Sequence, residues 1–71
     1  MADEESIRAR LSDSRITIHH IGEDEDGSFA WIEVEGTPDL VRQLTADSFE
    51  IEDGVIETAD SPPEAVVRPK F

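Results

Sequence analysis

The chain has 71 residues, no cysteine, and 18 acidic against six basic side chains, for a formal charge of -12 at pH 7. This length makes one domain near the lower limit for a self-sufficient core, and the missing cysteines exclude disulfide staples and thiolate metal sites. An acid-rich surface without a Lys/Arg stripe repels phosphate backbones and anionic lipid, so neither nucleic acid nor a membrane surface is an expected partner.

No apolar run of about 18 residues and no basic-then-apolar amino terminus is present, so neither a span nor a signal peptide is expected, and the expected location is cytoplasmic. The bases are five Arg and a single Lys, Lys70, and the acid concentrates in residues 15–60. Its self-repulsion loosens a compact state in dilute buffer and is screened at molar salt, where the Debye length is about 3 Å. In this the composition resembles cytosolic proteins of extreme halophiles; the alternative is an ordinary acidic domain. Salt-dependent stability, with homodimerisation as a further support, is the expectation.

Along the chain, Asp3 to Ser12 places Ile7 and Leu11 at i, i+4, with Glu4 and Arg8 at the same spacing and acids in the first turn, which predicts a short helix or a frayed helical arm over residues 1–14. Arg15 to Ile21 and Ser28 to Gly36 alternate with period two around the acidic loop GEDEDGS and predict an antiparallel hairpin. Its register sets Ile21 against Phe29, His20 against Ala30, His19 against Trp31, Ile18 against Ile32 and Ile16 against Val34. A one-residue slip would oppose Ile16 to Glu33. One face is then Ile16, Ile18, His20, Ala30, Ile32 and Val34, and the other carries His19, Ile21, Phe29, Trp31 and Glu33.

Gly36-Thr37-Pro38-Asp39 reads as a helix start, with Thr37 capping and Pro38 at the first position. Leu40, Val41 and Leu44 make the apolar stripe of a helix ending near Ala46 or Asp47. Ser48–Glu52 and Val55–Ala59 flank Asp53-Gly54, a dipeptide suited to a type I′ turn, so a second hairpin is expected with Glu50 opposite Glu57. Residues 60–71 hold three prolines and read as an extended or disordered tail in which Val66-Val67 could add an edge strand. The predicted fold class is α+β: a ββαββ core over residues 15–59 with a four-stranded sheet, one crossing helix, a short amino-terminal helix and a Pro-rich tail.

Gly22 aligned to the first position of a calcium loop puts Asp24 third, Asp26 fifth, Gly27 sixth and Glu33 twelfth, which looks like an EF-hand, but Gly22 stands where an Asp belongs and strands flank the loop. Asp24, Asp26 and Glu33 are thus the weak metal candidates. His19 and His20 point to opposite faces of a regular strand and cannot chelate one ion together without a bulge; His19 with Glu33 gives only two ligands. For catalysis, none of the six Ser is placed by pattern beside a His and an acid, and a carboxylate pair such as Glu33 and Glu35 needs a concave, desolvated site that so small a domain seldom encloses.

His19, Ile21, Phe29 and Trp31 therefore form the candidate site, an apolar patch beside charge. The expected function is a non-catalytic interaction or regulatory module, without cofactor, docking a protein partner or a second copy through this patch. The alternatives are a small-ligand-binding domain using the same patch and a metal-dependent enzyme subunit completed across a dimer. The amino-terminal helix, or Val66, Val67 and Phe71, would otherwise cover the patch from within.

Overall fold

The computed structural model describes residues 4–70, which form an α+β fold of four antiparallel strands in one sheet with two helices. Helix α1 (Glu4–Arg10) is the expected amino-terminal helix, although its expected first residue, Asp3, lies outside the described residues. Arg8 Nε donates to Glu4 Oε2 at 3.1 Å, and Ile7 and Leu11 are both buried. Seven residues are too few to hold a helix in water, so packing of this two-residue stripe supplies what propensity lacks.

Strands β1 (Ile16–Asp24) and β2 (Gly27–Val34) form the first hairpin. The pairs Ile16–Val34, Thr17–Glu33 and Ile18–Ile32 follow the expected register. Beyond Ile18 the register departs from expectation. A bulge at His19 advances β1 by one residue, so His20 faces Trp31, Ile21 faces Ala30 and Gly22 faces Phe29. Strict alternation would have put Ile21 in solvent and His20 in the core. The extra residue returns Ile21 to the core and leaves both imidazoles outside, which lowers the desolvation cost. The strands also extend further than expected, reducing the seven-residue loop to Glu25-Asp26, where Asp24 Oδ1 accepts from the Asp26 amide at 2.9 Å.

Helix α2 (Pro38–Thr45) begins as its sequence signals: Thr37 Oγ1 accepts from the Leu40 amide at 3.2 Å, with Pro38 in the first turn. Val41 is fully buried and Leu40 and Leu44 pack partly buried beside it. Buried Thr45 satisfies its hydroxyl by donating to the Val41 carbonyl at 2.8 Å.

The second expected hairpin is corrected. Asp53 and Gly54 do adopt positive φ, 61° and 81°, but the chain does not reverse there. Strand β3 (Phe49–Ile56) runs through them: Glu52 faces Val66 and Ile56 faces Glu64, so Asp53, Gly54 and Val55 bulge opposite Ala65. The reversal falls in residues 57–63, and the partner is β4 (Glu64–Pro69), drawn from the segment expected as a tail. Nor is β4 an edge strand, since the sheet order is β1-β2-β4-β3. The expected hairpin would have opposed Glu50 to Glu57, whereas β4 offers Arg68 to Glu50 and Val67 to Ile51. Pro63 precedes the strand and Pro69 ends it, so the prolines flank β4 and leave its interior free.

Antiparallel pairing of β4 with both neighbours makes β2 and β3 parallel, joined through α2. Ile7 and Leu11, with Val41 of α2, share one core with Ala30, Ile32, Val34, Phe49, Ala65 and Val67 of the sheet. Both helices therefore cover the same face. Among the described residues no helix is long and apolar enough to cross a membrane.

Candidate functional site

The helix-free face is built from the residues that alternate with the buried ones. Cross-strand pairing arranges it in rows: Thr17, Glu33, Glu64 and Ile56; then His20, Trp31, Val66 and Glu52; then Gly22 and Phe29, with Arg68 and Glu50 beyond. His19, at the bulge, reaches the same face, its ring centroid 4.8 Å from that of Trp31 and its Nε2 3.3 Å from Glu33 Oε1. Of the patch expected from sequence, His19 and Trp31 thus come together, Phe29 lies on the same face one row away beside His20, and Ile21 is turned to the other side by the bulge. His20, expected at the core edge, is exposed, with its ring 5.9 Å from Phe29. These two rings lie over Gly22, where a Cβ would come within 2.9 Å of His20 Nε2 and of Phe29 Cζ. Any larger residue there, including the aspartate of a calcium loop, would have to displace them.

The two ends of this face differ in their electrostatics. At one, Arg68 donates from Nη1 to Asp24 Oδ1 at 3.0 Å and from Nη2 to Asp24 Oδ2 at 2.7 Å, and Nη2 also donates to Glu52 Oε1 at 3.2 Å. Its guanidinium carbon lies 5.7 Å from the centroid of Phe29, and the side chain is 19 % exposed. Hydrogen bonding from Arg68 holds the Asp24 carboxyl below its ordinary range, and the same bonds raise the pKa of Arg68. The guanidinium therefore occupies the carboxylate that the calcium reading requires. Glu33 lies elsewhere, beside His19, and no three His, Asp or Glu among the described residues are grouped to hold a metal ion.

At the other end, Glu33 of β2 stands directly opposite Glu64 of β4. Trp31 Nε1 donates to Glu64 Oε1 at 2.8 Å, which fixes both the indole and the carboxylate. Among the described residues neither glutamate forms an ion pair with an arginine or lysine; the contact of Glu33 is His19, charged only when protonated. Beside the pair, Trp31 is 42 % and Ile56 53 % exposed.

Ile56, Val66, Glu64 and Arg68 are members of this face that sequence reasoning missed. A signal was present in EAVVRP, whose alternation sends Ala65 and Val67 inward and Glu64, Val66 and Arg68 outward. The adjacent prolines masked it. Comparison with protein-family models, curated proteins and solved structures finds no match to the chain.

Proposed function

We propose that the protein is a non-catalytic interaction module that docks another protein through the open face of its sheet, with Trp31 at the centre. The observation that carries this reading is the exposure of Trp31 and Ile56 on a face that the helices leave bare. The segments expected to cover the patch are engaged elsewhere: α1 packs on the opposite face, Val67 belongs to the core, and Val66 is itself part of the open surface. Phe71 lies outside the described residues. Exposed apolar surface rimmed by polar groups characterises interfaces, and Trp is enriched among the residues that dominate binding energy.

A cytoplasmic, salt-adapted setting belongs to the same proposal and is supported by the acid-rich composition.

The test pairs sedimentation at molar salt with affinity capture from a high-salt lysate, for the wild type and Trp31→Ser. With native circular dichroism, the variant is expected to lose the association that the wild type shows. Retention of association by the folded variant, or a wild type that associates in neither assay, would overturn the reading.

A further inference from the structure

Resting on that docking face, we propose that its occupant is a cationic segment of another protein, with one lysine or arginine head seated between Glu33 and Glu64 and its aliphatic stem across Trp31 and Ile56. Directly opposed residues on neighbouring strands have Cβ atoms about 4.5 to 5.5 Å apart, close enough for one ammonium or guanidinium to reach both carboxylates. Opposed like charges destabilise a sheet, so a cation entering between them relieves repulsion already present in the free protein. The Trp31 indole fixes Glu64 at 2.8 Å and presents an exposed ring beside the pair, which suits both a cation head and an alkyl stem.

The molecule provides an internal precedent. Arg68 spans Asp24 and Glu52 above the ring of Phe29 at the other end of this face. An incoming cation would repeat that arrangement between Glu33 and Glu64 beside Trp31.

Charge decides against a second copy as occupant. A two-fold dimer through this face would set one acid-rich face against another. Among the described residues the arginines at this face are already committed, Arg68 to Asp24 and Glu52 and Arg15, at its margin, to Asp13, so a second copy brings no free guanidinium to the Glu33–Glu64 pair. A lysine- or arginine-bearing partner meets complementary charge at the same place.

The experiment titrates the full chain with an acetylated, amidated hexa-lysine peptide, with hexa-glutamine as reference. It is run at the lowest salt at which circular dichroism is native, and binding is read from the fluorescence of Trp31, the sole tryptophan. Hexa-lysine is expected to give a saturable change. Substituting both Glu33→Gln and Glu64→Gln should weaken it by about fivefold or more, whereas Glu23→Gln with Glu25→Gln, which removes equal charge from the loop end, should change it by less than about twofold. Equal weakening by the two double variants would reduce the binding to general attraction by an acidic protein and overturn the proposal. Absence of a saturable wild-type change would do the same. If hexa-lysine fails while Trp31→Ser still abolishes association, only the cationic occupant falls; if Trp31→Ser is without effect on association, the docking face falls with it.

Discussion

The two ends of the open sheet face use the same materials, an aromatic ring among carboxylates, and differ by one guanidinium. At the Phe29 end, Arg68 bonds Asp24 and Glu52 and is itself largely enclosed. At the Trp31 end, Glu33 and Glu64 face each other with no arginine or lysine between them among the described residues, and Trp31 and Ile56 stand exposed. The first end has its countercharge built in. The second holds its two carboxylates with only the His19 imidazole and the Trp31 indole N–H, beside exposed apolar area, which is the arrangement expected where a partner completes the surface.

This contrast presupposes that the helix-covered face supplies most of the stability of the sheet, and the largest expected effect tests that premise. Ile32, adjacent to Trp31 in sequence, is fully buried beneath the helices. Ile32→Ala should cost about 2 to 5 kcal/mol, comparable to the whole stability of so small a domain. Denaturant titration should find it largely unfolded, while Trp31→Ser should stay within about 1 kcal/mol of the wild type.

Next in size, Arg68→Gln should make the Phe29 end resemble the other. Asp24 and Glu52 lose their cation, so the midpoint of unfolding should fall in dilute buffer and recover toward the wild-type value at molar salt. The pH dependence has a defined sign. Arg68 lowers the Asp24 pKa, so ionised Asp24 contributes stability fully above the ordinary 3.8, and this is lost as pH falls through the folded-state value. The stability gap between wild type and Arg68→Gln should therefore narrow below about pH 4. A gap that persists unchanged to lower pH would remove Asp24 from the account.

Smaller, and opposite in sign, is the effect of relieving the open end. Glu33→Gln or Glu64→Gln should stabilise the domain by about 0.2 to 1 kcal/mol at low salt and by nearly nothing at molar salt, measured as a shift in denaturant midpoint. Destabilisation by both substitutions would mean that the opposed pair is compensated within the chain. Narrowest in range is Asp13, which lies off this face. Hydrogen bonds from Arg15 draw its pKa from 3.8 to about 2, so the difference between wild type and Asp13→Asn should be full above pH 4 and vanish toward pH 2. Reading it as a difference matters, because acidification also relieves the general repulsion of a strongly anionic chain.

How much of this was legible depends on whether local pattern or distant pairing decided the outcome. Helix α2 was readable to within a residue or two because its cap, proline and stripe are local signals. So was the register from Ile16 to Ile18, where alternation alone discriminates between slips. The bulge at His19 was not, because its benefit lies in burying Ile21 and exposing His20, a tertiary comparison between two neighbours of different polarity. Asp53-Gly54 misled for a related reason. Their positive φ values are those of a turn, but a three-residue bulge uses them equally well, and the choice was made by β4, ten residues further on, whose Arg68 and Val67 are better partners for Glu50 and Ile51. The candidate site followed the same division: His19, Phe29 and Trp31 came from one readable hairpin, whereas Glu64, Val66 and Arg68 came from a strand whose flanking prolines read as a tail.

The central claim, an open and anionic Trp31 end without its own countercharge, is tested most directly by quenching Trp31 fluorescence at constant ionic strength with acrylamide, caesium and iodide. The prediction is ready quenching by acrylamide and stronger quenching by caesium than by iodide, with the two ions brought together when Glu33 and Glu64 are both changed to Gln. Protection from acrylamide, or equal quenching of the native protein by caesium and iodide, would contradict it.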